Sequence, residues 1–299
     1  MADTNRDVRQ ADVGALGVRL EPAATLTFDA PEPANVASIA LSPDGTTLLA
    51  TGWGKRVIYF DLASGAGRMV HEIGDGDLFE AHAAVWNETR AAVGTFSFLL
   101  IFEEDGTLAA SIEGTANSVA ALDDGFVRAD IDRLSFIGAD LTEGRSVALP
   151  GVHQISRASG SLFVSAPDAD ATPELIELDP ATFLERGRAA LPSQELFGGG
   201  VAYNAAPRLA ELVLFDGRTE VGAFDTTDVT WDFKATSFSG SWAAAIGFNE
   251  GVTLFDVPTR EHLASAIPST LSSTGVVLDG QTRLFVATPT GVQVYSIVR

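Results

Sequence analysis

The residue pattern closest to a known metal site lies in an acidic loop at positions 168–172. Asp168 and Asp170 present carboxylates at alternate positions, as the first ligands of a calcium-binding loop do. The sixth-position glycine and the closing glutamate of such a loop are missing, and Pro173 interrupts the segment. Residues 74–77, Gly-Asp-Gly-Asp, repeat the arrangement over a shorter length. We interpret both segments as solvated loops, and calcium binding at Asp168 and Asp170 stays an open alternative.

Residue types suited to covalent or metal catalysis are scarce. The chain has no cysteine, which excludes disulfides, thiolate metal sites and cysteine nucleophiles. The three glycines at 198–200 lack the lysine and the Ser or Thr of a phosphate-binding loop, and no G-x-S-x-G motif is present. The histidines show no metal-ligand spacing; they are His71, His82, His153 and His262. The sequence predicts a protein that is not an enzyme and that needs no cofactor.

Charge excludes a further class of function. The formal net charge is −21, from 40 acidic and 19 basic residues, and such a surface repels nucleic-acid backbones. Only Lys55 and Lys234 are lysines, and the other 17 bases are arginines. Acid excess with almost no lysine indicates adaptation to molar salt, where self-repulsion is screened. The alternative is a GC-rich genome that encodes arginine in place of lysine.

The elements that would carry any site repeat with a period near forty. Seven apolar stretches close on a large apolar residue, and the gaps between these anchors are 42, 35, 41, 37, 40 and 40 residues. The anchors are Phe60, Phe102, Ile137, Leu178, Phe215, Phe255 and Tyr295. Short β-type segments and Gly/Asp turns at this period predict an all-β, seven-bladed propeller with four antiparallel strands in each blade.

The first repeat shows the pattern most clearly. Its strands are expected at 37–42, 48–52, 57–62 and 68–73, with a Pro-Asp-Gly turn at 43–45 between the first two. The blades are expected at about 37–73, 80–113, 116–150, 152–191, 195–226, 230–267 and 271–299. Blade five, with ELFGG, VAYN, LAELVLFD and EVGAF as its segments, is the least regular.

The last blade lacks a fourth strand, because the chain ends at Arg299 after only three. An alternating segment at 24–29, with Leu26 and Phe28 on one face, has no blade of its own. An incomplete blade would leave an open sheet edge. We therefore predict that residues 24–29 form the outer strand of blade seven and close the ring.

The stretch LSPDGTTLLATGWGKRVIYFDLASG (41–65) resembles a repeat of the WD-repeat and YVTN-type propeller superfamily. In that superfamily, S-P-D-G marks the first hairpin and an aromatic-Asp pair ends the third strand. Residues 238–256 and 278–296 follow the same pattern more loosely. No blade carries the Gly-His pair of a true WD repeat, and Tyr or Phe replaces its Trp. The resemblance implies a propeller that serves as an interaction platform, and no catalytic residue carries over.

Domain organisation and location follow from the same sequence. We expect a flexible tail at 1–15 and one propeller domain at 16–299. No window holds 18 uninterrupted apolar residues, so no membrane span is expected. The start, MADTNRDVRQADV, lacks a basic n-region and an apolar core, so it does not resemble a secretory signal. The expected location is the cytoplasm, or the exterior only as part of an assembled particle.

The strongest candidates for partner binding are tryptophan and basic residues in connections on one predicted face. Trp53, Lys55 and Arg56 lie between the second and third strands of blade one, and Trp231 lies in the connection that enters blade six. Trp and Arg are enriched at interface hot spots, which favours a protein or glycan partner. Trp86 and Trp242 lie within predicted strands and are expected to be packing residues.

These observations predict a non-catalytic platform that presents propeller loops to a macromolecular partner, as a subunit of a larger assembly. One alternative is an adhesin or structural component of a virion or similar particle from a saline habitat, which binds surface glycan or protein. The other is a lactonase-like hydrolase with a metal in the central channel, for which Asn117, His153 and Asn204 are the candidate channel residues.

Overall fold

The computed structural model describes residues 17–28, 35–52, 54–74, 83–196, 203–208, 211–225, 233–247, 251–266 and 275–299. The predicted tail at 1–15 lies outside these ranges. The described residues contain 27 strands and no helix.

The strands are short, most of them of five or six residues, as expected for segments that cross one blade. In the first half of the chain they are β1 (Arg19–Thr27), β2 (Val36–Leu41), β3 (Thr47–Gly52), β4 (Arg56–Asp61), β5 (Gly67–Glu72), β6 (Ala83–Trp86), β7 (Arg90–Gly94), β8 (Phe98–Glu103), β9 (Leu108–Glu113), β10 (Ser118–Leu122), β11 (Gly125–Asp130), β12 (Arg133–Gly138) and β13 (Glu143–Ala148). In the second half they are β14 (Gln154–Ala158), β15 (Ser161–Pro167), β16 (Pro173–Leu178), β17 (Glu185–Ala190), β18 (Tyr203–Arg208), β19 (Glu211–Asp216), β20 (Thr219–Asp225), β21 (Phe233–Ser239), β22 (Trp242–Gly247), β23 (Gly251–Asp256), β24 (His262–Ala266), β25 (Val276–Asp279), β26 (Arg283–Thr288) and β27 (Gly291–Val298).

These strands form seven antiparallel sheets, and each sheet contacts the next around a closed ring. The prediction of a seven-bladed β-propeller is therefore confirmed. Blades one to four and blade six follow chain order, from β2–β5 through β21–β24. Blade five has three described strands, β18–β20. Most of the segment predicted as its first strand, ELFGG at 195–199, lies outside the described residues.

The N-terminal strand completes blade seven, as predicted. The strand order is β1-β27-β26-β25, with Leu26 opposite Val292 and Ala24 opposite Val294. The strand is longer than the predicted 24–29, because it begins at Arg19 and ends at Thr27. The register of the β1–β27 pairing shifts between Pro22 and Ala24. A proline is tolerated here because β1 is the outer strand of the blade, and its outer side needs no ladder hydrogen bonds.

The hydrophobic core lies between blades. Phe60 of blade one packs with Phe285 of blade seven, and Tyr59 of blade one packs with Phe102 of blade two. All seven anchors of the sequence repeat are buried, none more than 3% exposed. The period read from the sequence therefore marks the residues that hold each blade to its neighbours.

Serine side chains add polar contacts between the innermost strands. The Ser38 hydroxyl accepts the N–H of Ala84 in the next blade at 3.0 Å. Ser118 accepts the N–H of Ile155 at 3.1 Å, and Ser237 accepts the N–H of Leu278 at 3.0 Å. Because the first strand of a blade meets another blade here, these hydroxyls satisfy backbone donors that the sheet leaves unpaired.

Two tryptophans are packing residues, as predicted. Trp242 is 4% exposed, between blades six and seven. Trp86 packs on Tyr59 at 5.5 Å between ring centroids, and its indole N–H donates to the carbonyl of Ala40 at 3.2 Å. The ring of Trp86 therefore joins blade two to blade one.

Candidate interaction face

The strand order divides the connections between two faces. Within each blade the strands alternate in direction, so the turns between second and third strands all lie on one face, which we call the upper face. Its described turns are at 54–55, 95–97, 131–132, 168–172 and 289–290. The turns from first to second and from third to fourth strands lie on the opposite, lower face.

Lys55 and Arg56, two predicted binding residues, lie at the upper face of blade one. Lys55 has a positive φ of 53°, an unfavourable conformation for a residue with a Cβ. Its N–H donates to the carbonyl of Gly52 at 3.2 Å, and its carbonyl accepts the N–H of Ile73 at 2.8 Å. Arg56 begins β4, opposite Glu72. Both side chains are half-buried on a turn that backbone hydrogen bonds hold in place.

The other two predicted residues, Trp53 and Trp231, lie outside the described residues. Their place on the upper face therefore stays a prediction.

Sequence reasoning missed two apolar residues on the same face. Phe96 in blade two is 41% exposed, and Ile131 in blade three is 60% exposed. Each occupies the turn between second and third strands, as Lys55 does in blade one. In the sequence, the available signal was an apolar residue between polar ones, in Thr95-Phe96-Ser97 and Asp130-Ile131-Asp132.

Local hydrogen bonds fix both turns. The Thr95 hydroxyl accepts the N–H of Ser97 at 3.2 Å and the N–H of Phe98 at 2.9 Å, which closes the turn that carries Phe96. The N–H of Ile131 donates to the Asp130 carboxylate at 2.7 Å, and its carbonyl accepts the N–H of Val152 at 3.0 Å. The two apolar side chains thus project from a rigid backbone.

Arginine side chains connect neighbouring blades toward the lower face. Each of the seven blade interfaces has at least one such bridge within the described residues. The bridges run from Arg68 to the Asp105 carbonyl, Arg90 to the Ala139 carbonyl, Arg145 to the Pro180 carbonyl, Arg218 to the Glu177 carboxylate, Arg260 to the Val221 carbonyl, Arg299 to the Trp242 ring and Arg283 to the Gly45 carbonyl. We call these seven residues the inter-blade arginines.

Two of these bridges lie against a glycine on the adjacent outer strand. A Cβ at Gly187 would collide with the guanidinium of Arg218, and a Cβ at Gly222 would collide with the side chain of Arg260. Both glycines have strongly positive φ angles, 155° and 148°. Glycine at these positions therefore gives the space that the arginine of the next blade occupies.

Aspartates cap the lower-face turns. Hydrogen bonds from the Ser42 and Thr46 hydroxyls hold the pKa of Asp44 below its usual value. A hydrogen bond from the Thr142 hydroxyl does the same for the pKa of Asp140. Much of the acidity of this face therefore serves turn geometry, since each carboxylate satisfies donors within its own turn.

The acidic loop at 168–172 has a similar structure. Asp168 Oδ1 accepts the N–H groups of Asp170 and Thr172, both at 2.8 Å. This carboxylate oxygen caps its own turn. The described ranges contain no group of three or more His, Asp or Glu side chains arranged to hold a metal ion. Residues 75–77 of the second acidic loop lie outside those ranges.

The three candidate channel residues occupy separate environments. Asn204 is fully buried between blades four and five, where the Ser156 hydroxyl donates to its Oδ1. His153 is exposed at the start of blade four, and its backbone N–H donates to the backbone carbonyl of Ser165. The N–H of Asn117 donates to the carbonyl of Ala129 in blade three. The Asn204 side chain therefore contacts the neighbouring blade.

Comparison with known proteins gives no family for this chain. No protein-family model matches the sequence, and no curated protein matches it significantly. In the part of the chain that the structure describes, no helix is long and apolar enough to span a membrane.

Proposed function

We propose that the chain is a non-catalytic platform, and that the upper face of blades one to three is its docking surface for a protein partner in a larger assembly. The observation that carries the proposal is the exposure of Phe96 and Ile131 on consecutive blades, next to the turn of Lys55. Propellers commonly serve as protein-interaction platforms, and apolar side chains grouped on one face mark such sites.

Rigid turns make these side chains suitable anchors. A partner that covers Phe96 and Ile131 gains apolar burial without ordering the backbone, because hydrogen bonds within the turns already hold it. Lys55 and Arg56 add positive charge on a molecule with a net charge of −21. A partner with an apolar centre and acidic groups at the blade-one side would match this surface.

The lower face offers a contrast. Leu184 is 69% exposed in a turn of blade four, and Leu108 is 38% exposed where the outer strand of blade two leaves its lower-face turn. These two leucines lie on blades that are not neighbours, and scattered exposed leucines are ordinary for a protein surface. Aspartates of its turns accept hydrogen bonds within the chain, and arginines near it bridge the blades.

The experiment compares variants of the two faces. Three tagged proteins are purified from the native source together with their partners, and the partners are quantified by mass spectrometry. The three are the wild-type chain, the upper-face double variant Phe96→Asp with Ile131→Asp, and the lower-face control Leu184→Asp. The upper-face variant should lose its specific partners by about tenfold or more, because interface anchors often contribute 2 kcal/mol or more. The control should retain them.

Equal recovery by the wild type and the upper-face variant would overturn the proposed docking surface. Melting temperatures of all three proteins show whether a loss of partners reflects unfolding. If the variant melts as the wild type does, lost binding is a property of the surface.

A further inference from the structure

Five Asp-Gly dipeptides, which we call Asp-Gly steps, lie within the described residues, and a sixth, at 75–76, lies outside them. Asp-Gly steps can isomerise. The glycine nitrogen attacks the protonated aspartate carboxyl carbon and expels water to form a succinimide, and water then reopens the ring, mainly to isoaspartate. Glycine favours this because no side chain hinders the attack. The described steps begin at Asp44, Asp105, Asp124, Asp216 and Asp279.

At two of these steps both reacting groups are hydrogen-bonded. The Asp44 carboxylate accepts the hydroxyls of Ser42 and Thr46, and the N–H of Gly45 donates to the carbonyl of Ser42 at 2.9 Å. The Asp105 carboxylate accepts the N–H of Thr107 at 2.8 Å, and the N–H of Gly106 donates to the carbonyl of Glu103. Before a succinimide ring can form at either of these steps, the hydrogen bonds of the carboxylate and of the glycine N–H must break.

Two further steps are restrained in other ways. The Asp279 carboxylate binds the guanidinium of Arg283, with Nε to Oδ2 at 2.8 Å. Gly125 is buried within β11, and the space beside its Cα faces the carbonyl of Ile137. Closing a succinimide at Gly125 would require the strand to move within the core.

The remaining step has none of these restraints. Asp216 is exposed at the tip of the β19–β20 hairpin, opposite Thr219, and within the described residues its carboxylate has no hydrogen bond or ion pair. Gly217 has a φ of 59°, and no atom lies within 4 Å of the position that a Cβ would occupy. The carboxyl group can therefore rotate toward the Gly217 nitrogen in open solvent.

We propose that, of the five described Asp-Gly steps, Asp216 is the one that isomerises, and that the product is a substrate for protein-isoaspartate methyltransferases. The product has the same mass as the original chain, because water is lost and then regained. The isoaspartyl bond adds a methylene to the main chain of a two-residue turn. The next residue, Arg218, holds Glu177 of blade four at 2.8 Å. Isomerisation at Asp216 therefore loosens the contact between blades four and five.

The test ages the purified full-length chain in warm neutral buffer for several weeks. An isoaspartyl methyltransferase with labelled S-adenosylmethionine then reports the modified residues, and peptide mapping by electron-transfer fragmentation locates them. The Asp216 peptide should carry several-fold more label than the Asp44 or Asp105 peptides. Asp216→Glu should remove most of the label carried by the five described steps, because the longer side chain disfavours the five-membered ring. The matched control Asp44→Glu should leave that label unchanged.

Three results would overturn the proposal. They are equal labelling of the five described steps, greater labelling at another of these five steps than at Asp216, and no label in any of the five after ageing. The structural consequence has its own readout: the aged fraction, separated by ion exchange, should melt at a lower temperature than fresh protein. Unchanged melting would show that the blade contact does not depend on this turn.

Discussion

At the scale of single residues, the arginines explain how the blades hold together without the polar network of a WD repeat. A guanidinium donates in a plane and stacks on aromatic rings, and lysine does neither. Arg145 shows both properties. Its guanidinium carbon lies 3.9 Å from the ring centroid of Phe136 and 5.0 Å from that of Phe183, and it donates to the Pro180 carbonyl. Interface chemistry thus gives a structural reason for arginine at such positions, beyond genome composition.

Arg145→Lys should therefore destabilise the protein although it keeps the charge. We expect a loss of about 1–3 kcal/mol in the free energy of unfolding, since an ammonium group loses the stacking on Phe136 and leaves the half-buried carbonyl of Pro180 poorly satisfied. The measurement is equilibrium unfolding in urea. Arg133→Lys in the same blade is the control, because that side chain is 48% exposed and its ion pair with Glu143 is long, at 3.7 Å.

Arg133→Lys should change stability by no more than about 0.5 kcal/mol. Similar effects for the two substitutions would show that position 145 requires only a positive charge, and the explanation of arginine use by geometry would then be wrong.

At the scale of elements, ring closure depends on how β1 attaches to β27. Val18 and Leu20 pack in the cluster between blades six and seven, and Leu26 packs in the cluster between blades seven and one. The segment therefore buries side chains at both interfaces of blade seven. Gln293 fastens it, because its amide donates to the carbonyl of Ala24 at 2.8 Å and its oxygen accepts the Thr25 hydroxyl at 3.1 Å.

Gln293→Leu should weaken this attachment selectively. Gln293 is 8% exposed, and the substitution removes both of its hydrogen bonds to β1. We therefore expect about 1–3 kcal/mol of destabilisation, since each such bond contributes roughly 0.5–1.5 kcal/mol. Hydrogen exchange followed by mass spectrometry should show faster exchange in β1 than in the wild type, with little change in blades two to four. The matched control is Gln194→Leu, at an exposed position in a connection. Uniformly faster exchange in all blades would contradict a local role for Gln293.

The sequence predicted these elements well because apolar alternation and turn residues are local signals. It placed the start of β1 five residues late, because Glu21 and Pro22 interrupt the alternation although the outer edge of a sheet accepts both. The candidate site was harder to predict. Exposure of Phe96 and Ile131 depends on which turns the ring brings to one face. Arg68 reaches a backbone carbonyl 37 positions away, and no local pattern records such a partner.

At the scale of the whole molecule, unbalanced charge opposes the compact ring. The chain has 40 acidic and 19 basic residues, and the inter-blade arginines already make contacts between blades. Several aspartates receive hydrogen bonds from N–H or hydroxyl groups, which satisfy the oxygens but do not neutralise the charge. Added salt should therefore stabilise the folded state, because it screens the repulsion that unfolding would relieve.

We expect the melting temperature to rise by about 5 °C or more as KCl increases from about 0.1 M to about 3 M, equivalent to a few kcal/mol for a chain of this size. Screening alone should be nearly complete at about 1 M, where the Debye length is only about 3 Å. Adaptation to molar salt requires the melting temperature to keep rising between about 1 M and 3 M. Sucrose is the control, because it favours burial without screening charge. A plateau above about 1 M would assign the effect to screening, and the absence of any rise would refute the salt hypothesis.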